Sequence, residues 1–496
     1  MDIEQSHSIK VPFNIIQQFL SEQNKTLLNT LNHDTPKTQN ESLINNYTFD
    51  PQNIISLNEN QSGNYNQYSY LYNARYNQCL QSLQDKAKEK WPDVSLCKNI
   101  IDLKGFEPKA IIGITYKEMP CKPSILKNIE AMIGSRKVKS FVSESQDYLC
   151  LEDQSGRIRI NSELSKDVIN IGNFITGIPI TLKGVLDDKG LFIVKDYTFM
   201  NSTIHHKILR SNITTTVTPS LTSSMRDYIM FISDLEIGSV SDNDNRNALA
   251  RNMLLNFIQN TGNVSQIISE YANQIQRVII CGNSIYSPPD TELVEKGSFR
   301  KQNLNNTVYK QILSNYEQLD DFINKLTHYI PVDIIPSLDD LSSDYFPTPA
   351  ISEIMFPQSS SCLNKTFNLV TNPYSFQLDG ISFLGTSGDN INTIKQYSTL
   401  TNALEIMKLT LEWGHLAPCA PDGIRTYPYK QVDNLVKFNI PDVYFCGSQQ
   451  EGAIKQEVLK DKEVNIITVP KFSSTGSVVI YNIKTKEMKL LKFGYV

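Results

Sequence analysis

Five short stretches at the ends of apolar runs hold the residues on which hydrolytic chemistry would depend. Asp234-Leu235-Glu236 follows YIMFIS, and Gly282-Asn283 follows RVIIC, with Tyr286 three residues beyond Asn283. Ser337-Leu338-Asp339-Asp340 follows VDIIP, His415 follows the helical run TNALEIMKLTLEWG, and Gly447-Ser448-Gln449-Gln450 follows DVYFC. Carboxylates and imidazoles at strand ends suit metal-assisted attack on a phosphate ester, in which two cations polarise the phosphoryl group and generate hydroxide. That chemistry needs a bridging carboxylate, because an anionic oxygen for each ion offsets their charge, and neutral imidazoles to complete the coordination. Here the turn after the central strand offers the amide of Asn283 instead. The whole chain has six histidines, and only His328 and His415 lie after residue 210. The ligand set is short of charge and of imidazole together. The candidate positions at these strand ends are Asp234, Glu236, Asn283, Tyr286, Asp339, His415, Ser448 and Gln450. No catalytic, metal-binding or cofactor-binding residue is expected. Asn283 reads as a turn residue, since Gly and Asn both tolerate positive φ. Asp234, Glu236 and His415 read as satisfied polar residues at the rim of an old cleft.

The elements that must position these residues alternate from residue 225 onward. YIMFISD, RVIICGN and VDIIPS read as strands. Between them lie the helical runs NALARNMLLNFIQN, with Leu249, Met253, Leu254, Phe257 and Ile258 on one face, and YKQILSNYEQLDDFINKLTHYI, with Ile312, Leu319, Phe322, Ile323 and Leu326. From 365 on strands dominate, Asp379-Gly380 marks a hairpin, and one helix interrupts at TNALEIMKLTLEW. This rhythm predicts a layered α/β domain over 225–496. Before it, 211–224 is a Ser/Thr-rich linker, and 100–205 holds five short strands separated by turn signals, the pattern of an oligonucleotide-binding (OB) barrel. Phe141, Tyr148, Lys137 and Lys139 are its candidates for touching a single strand. Residues 69–99 carry a helix with Tyr72, Tyr76, Cys79, Leu80, Leu83, Ala87 and Trp91 at helical spacing, a packing stripe that ends before Pro92. Residues 1–68 are rich in Asn, Gln and Ser and read as flexible, with a short helix at VPFNIIQQFLSEQ.

Composition narrows the function. A net charge of −5 provides no overall positive field for nucleic acid. Eight cysteines without a CxxC pair are a poor zinc or iron–sulfur pattern and suit reduced thiols. No apolar run approaches a membrane span.

The order strand–Asp, helix, strand–Gly-Asn, helix, strand, helix–His, strand–Cys-Gly-Ser resembles a calcineurin-like phosphoesterase, and that resemblance implies that Asp234, Glu236, Asn283, Tyr286, Asp339, His415, Ser448 and Gln450 are the degenerate positions of a lost metal site. The stretches LVTNPYSFQLDGISFLGTSGDNI, HLAPCAPDGIRTYPY, DVYFCGSQ and VPKFSSTGSVVIYNI, with the helix NARYNQCLQSLQDKAKEKW, resemble the small (B) subunits of replicative DNA polymerases, most closely the delta type, over roughly residues 69–490. That resemblance implies an OB barrel joined to an inactivated phosphoesterase domain, without cofactor or active site. It implies a nuclear scaffold for DNA replication and repair, bridging the cysteine-rich C-terminal tail of the catalytic polymerase chain and a further accessory subunit. DNA and the sliding clamp would be met through the complex, and no membrane is involved. The alternatives are an active metal-dependent phosphodiesterase or 3′–5′ nuclease, the small subunit of polymerase alpha or epsilon, and a free single-strand binder.

Overall fold

Strand β7 (Tyr228–Ile232) is buried on both faces, and its residues sort by parity. Tyr228, Met230 and Ile232 enter one apolar core, Ile229 and Phe231 another. Double burial is why the segment reads YIMFI without polar alternation. The computed structural model describes residues 47–49, 68–122, 140–202, 226–239, 246–261, 266–286 and 301–494. Around β7 it builds a six-stranded sheet in the order β10 (Phe367–Leu369), β9 (Val332–Ile335), β8 (Ile275–Cys281), β7, β16 (Ser477–Asn482) and β17 (Met488–Lys492). The strands from β10 to β7 run parallel, and β16 and β17 close the sheet antiparallel.

A second six-stranded sheet packs on the first. Its order is β1 (Tyr47–Phe49), β11 (Tyr374–Leu378), β12 (Ile381–Thr386), β13 (Val443–Gln449), β15 (Lys462–Pro470) and β14 (Ala453–Leu459). Phe231 of β7 meets Phe445 of β13 with ring centroids 4.5 Å apart. Gly385 in β12 makes room for that contact, since a Cβ there would lie 2.0 Å from the Phe445 ring. Helices α2 (Arg246–Ile258), α3 (Gln266–Gln274) and α4 (Lys301–Thr327) cover the outer face of the first sheet, and α5 (Asp389–Tyr397) and α6 (Ala403–Trp413) cover the second. The result is a four-layer α/β/β/α body.

The barrel is a five-stranded antiparallel sheet, β4 (Arg157–Arg159), β3 (Tyr148–Glu152), β2 (Lys109–Glu118), β5 (Pro179–Leu186) and β6 (Phe192–Thr198). It closes through the Ile160–Phe192 bridge. Its interior residues Leu149, Leu151, Ile180 and Leu182 share one apolar core with Met407, Leu411 and Trp413 of α6, so barrel and α/β body are fused. Helix α1 (Ser69–Lys90) lies on the barrel through Cys79 and Leu83, which pack with Ile112 and Met200.

Three expectations need correction. Within residues 1–68, read as flexible, Tyr47–Phe49 form β1 on the edge of β11, because an unpaired sheet edge accepts any extended segment that reaches it. On α2 the packed residues are Ala250, Leu254, Leu255 and Phe257, while Leu249 and Met253 are exposed. The apolar stripe is rotated because α2 has apolar residues on more than one side, so spacing alone leaves its facing open. Helix α5 is additional to the one helix expected after 365. Its run DNINTIKQY is mostly polar, and only Asn390, Ile391 and Ile394 turn inward. The short helix at VPFNIIQQFLSEQ and the linker 211–224 lie outside the described residues.

Packing at Gly385 is directly testable. Gly385→Ala forces a methyl into the Phe445 ring and is expected to cost about 1–3 kcal/mol of stability. Urea unfolding of the full chain followed by tryptophan fluorescence checks this, with a lowered midpoint at unchanged slope expected.

Candidate functional site

The strand ends of both sheets meet at Asp234, whose side chain is fully buried. A buried carboxylate is tolerated only when paired and hydrogen-bonded, and each neighbouring loop supplies a partner. Ser233 Oγ donates to Asp234 Oδ2 at 2.6 Å. Asn283 Nδ2 donates to Oδ1 at 2.8 Å and Ser448 Oγ donates to Oδ1 at 3.0 Å. Lys471 Nζ stands 3.4 Å from the same oxygen. Ser233 and Asn283 follow strands of the first sheet, whereas Ser448 belongs to β13 and Lys471 follows β15 of the second. One carboxylate therefore ties the two sheets together.

The backbone around it is unusual. Asp234, Glu236, Asn283 and Ser448 all have left-handed φ, between 43° and 55°. Such conformations cost non-glycine residues energy and persist only where surrounding structure over-determines them. The floor beneath is closed by backbone. A Cβ on Gly447 would meet Cys281 O at 2.5 Å and Ser387 O at 2.8 Å, and one on Gly282 would meet Ser387 Cβ at 2.7 Å.

The other sequence candidates are dispersed. Glu236 is half-buried, and burial raises its carboxyl above the usual range, with the Asp234 charge adding and a hydrogen bond from Ser473 opposing. Tyr286 is half-buried and its amide donates to Ile237 O at 2.9 Å. Asp339 and Gln450 are exposed. His415 is not at a rim. It is wholly buried, its Nε2 lies 2.9 Å from Asp433 Oδ2, and its Nδ1 accepts from the Ala417 amide at 3.1 Å. That pattern assigns the neutral tautomer with the proton on Nε2. Burial, then the Arg75 charge, push the His415 pKa down to about 4.

Two clusters escaped the sequence reading. The first is built on Arg75 of α1, which is fully buried. Its guanidinium donates to Asp433 Oδ2 at 2.8 Å, Gly177 O at 3.0 Å, Pro418 O at 2.8 Å and Ala420 O at 3.0 Å. Burial alone would raise the Asp433 carboxyl, but Arg75 and His415 hold it well below the usual range. The signal was present: Arg75 stands four residues before Cys79, on the packed face of the helix. The second cluster is Asp340 and Asp389. Asp340 accepts from the Ser337 and Ser284 amides at 2.8 and 3.0 Å, and Asp389 from the Leu338 amide at 3.1 Å and Ser387 Oγ at 2.7 Å. Burial raises both to about 6, with the Asp339 charge adding.

These residues do not fit a dinuclear metal centre. Both oxygens of Asp234 already accept hydrogen bonds, the bridging place holds an amide that donates, and both nitrogens of His415 are engaged. Among the described residues no three His, Cys, Asp or Glu side chains are grouped to hold a metal ion.

Comparison with known proteins agrees with this architecture. Residues 229–455 match the family model for the B subunit of DNA polymerase alpha/epsilon, and residues 67–197 match the DNA polymerase delta subunit OB-fold domain. A barrel and a layered body in this order define the class of small subunits of replicative DNA polymerases. A DNA polymerase delta small subunit of Oryza sativa subsp. japonica is 30% identical over 435 residues, covering 86% of this chain and 93% of its own. The DNA polymerase delta subunit 2 of Drosophila melanogaster is 28% identical over 435 residues, and the small subunit of Saccharomyces cerevisiae 26% identical over 467. The chain belongs to the family of DNA polymerase delta small subunits. A solved archaeal phosphodiesterase overlays 53% of this chain at 12% identity with a TM-score of 0.26, too loose a likeness to bear on function.

Two outcomes follow from these contacts. Asn283→Asp replaces a donor to Asp234 by a second carboxylate and is expected to cost about 2–4 kcal/mol in urea unfolding at pH 7.5. Millimolar Mn²⁺ should recover part of that loss; stability equal to the parent without metal would contradict the role given to Asn283. Asp389 has a folded pKa above its unfolded one, so its burial stabilises below about pH 4 and that stability is lost as pH rises towards 6. Asp389→Asn keeps one oxygen for Leu338 and Ser387 and removes the charge. It should raise the unfolding free energy from urea titration at pH 7.5 by about 1–2 kcal/mol, with little gain at pH 4.

Proposed function

We propose that this chain is the non-catalytic accessory subunit of a DNA polymerase delta complex. It acts as a scaffold that holds the cysteine-rich C-terminal tail of the catalytic chain and docks a further accessory subunit. The observation that carries the reading is the saturation of Asp234: the place where hydrolysis would need cations is filled by Ser233, Asn283, Ser448 and Lys471. Synthesis then belongs to the catalytic chain, and DNA and the sliding clamp are met through the assembly in the nucleus.

The barrel supports this over a free single-strand binder. Tyr148 lies under the Arg159 guanidinium at 3.9 Å, and Phe141 packs edge-on against Tyr397 at 5.2 Å, so both aromatic candidates already have partners. Lys137 and Lys139 lie outside the described residues. The eight cysteines are all unpaired thiols, five of them buried. On this reading, zinc and iron–sulfur ligation belong to the catalytic chain's tail. No helix among the described residues is long and apolar enough to cross a membrane.

Co-expression with the C-terminal domain of its own delta catalytic chain is expected to give a 1:1 complex that survives gel filtration. The purified chain should show no Mn²⁺-dependent cleavage of bis-p-nitrophenyl phosphate. Cleavage abolished by Asp234→Ala, with no catalytic chain bound, would overturn the proposal.

A further inference from the structure

A polar cavity lies where the barrel meets the α/β body. Its walls come from Tyr116, Lys117 and Glu118 at the end of β2, from Tyr397 at the end of α5, and from the loop that holds Asp422. Its volume is about 160 Å³. A concave space at the junction of two folded units, with a few convergent polar groups, is where small ligands commonly bind. It shares no residue with the cleft at Asp234.

Charges of both signs face this space, Lys117 and Lys122 against Glu118 and Asp422. The Lys117 ammonium is fully buried and is offset further by Asp147 Oδ2 at 3.5 Å. Burial lowers its pKa, and the Asp147 charge opposes that shift. A lining balanced in this way selects neither an anion nor a cation by charge. It suits an uncharged ligand that both donates and accepts hydrogen bonds. Lys117 Nζ also donates to Tyr397 O at 3.2 Å. An ammonium has three protons, so with these two partners Lys117 keeps one for an acceptor in the cavity.

The walls favour a flat ligand. Tyr116 and Tyr397 are both held in place: the Arg157 guanidinium lies over Tyr116 at 4.0 Å, and Phe141 packs edge-on against Tyr397 at 5.2 Å. Ordered aromatic walls reward a planar ring. A cavity of roughly 150 Å³ accommodates benzene, so this one admits a single six-membered ring. A purely apolar ring would leave the ammonium and carboxylates without partners, at a cost that its burial does not offset. A ring with two carbonyls flanking an N–H satisfies them, because the carbonyl oxygens accept from the lysines and the N–H donates to a carboxylate.

We propose that this cavity binds one pyrimidine ring of the uracil or thymine type, read by Lys117, Lys122 and the carboxylates of Glu118 and Asp422 against the Tyr116 and Tyr397 wall. A free nucleoside and a base of a single strand share this chemistry. The net charge of −5 favours the free nucleoside.

The test is isothermal titration of thymidine into the full chain at pH 7.5. Saturable 1:1 binding with a sub-millimolar dissociation constant is expected for a ligand of this size. Methylation of the ring N–H, in 3-methylthymidine, should weaken binding by about tenfold. Asp422→Asn and Lys122→Ala change side chains at the rim, and each should weaken thymidine by at least about fivefold while leaving the urea midpoint at the parent value. An oligothymidylate of about ten nucleotides distinguishes the sources: an affinity per base equal to that of thymidine assigns the site to the nucleoside, and a tighter, steeply salt-dependent affinity that the same substitutions weaken assigns it to a strand. No heat with millimolar thymidine, or binding indifferent to the methyl group and to both substitutions, would overturn the proposal.

Discussion

A buried carboxylate with nowhere to send its charge sets the terms for the centre of this molecule. Asp234 ends the innermost strand of one sheet, directly facing the strand ends of the other. Left unpaired there, it would cost several kcal/mol. The chain answers with three neutral or backbone-anchored donors and one lysine, drawn from both sheets. The positive φ of Asp234, Asn283 and Ser448 accompanies the same arrangement, in which short side chains turn inward over a floor that holds Gly282 and Gly447. The contacts of Asp234 form a hydrogen-bonded rivet between the two sheets.

A second rivet joins the remaining parts. Arg75 enters from α1, reaches Gly177 beside the barrel, and binds Asp433, Pro418 and Ala420 of the α/β body. Gly177 is required at that crossing: a Cβ there would lie 1.9 Å from Pro418 O. His415 serves this network as a neutral donor to Asp433 rather than as a metal ligand. Its pH dependence opposes that of Asp340 and Asp389. A histidine with a depressed folded pKa stabilises above about 6.5 and loses that contribution as pH falls towards 4. The two raised carboxyls gain on the same descent.

Much of this was legible in the sequence because period and punctuation carry it. Doubly buried strands such as YIMFI and RVIIC announce a layered body, and Asp379-Gly380 turns between β11 and β12 with positive φ at both residues. The amide at Asn283 and the shortage of histidines were legible too, since both are facts of residue type. Partnerships over long sequence distances were not legible. Asp433 lies 358 residues from Arg75, and nothing local in either segment names the other. Asp340 was visible only as one of two adjacent aspartates, and burial alone separates it from exposed Asp339. The rotated face of α2 and the polar surface of α5 show the same limit: periodicity gives an element, while its facing depends on the tertiary core.

The central claim is that hydrogen bonds have replaced cations at Asp234. Isothermal titration of Mn²⁺ into the full-length chain at pH 7.5 tests it most directly. The account predicts no stoichiometric binding up to millimolar metal, and the same flat response in Asp234→Asn. One or two ions bound per chain, lost in Asp234→Asn, would contradict it and return the cleft to the phosphoesterases.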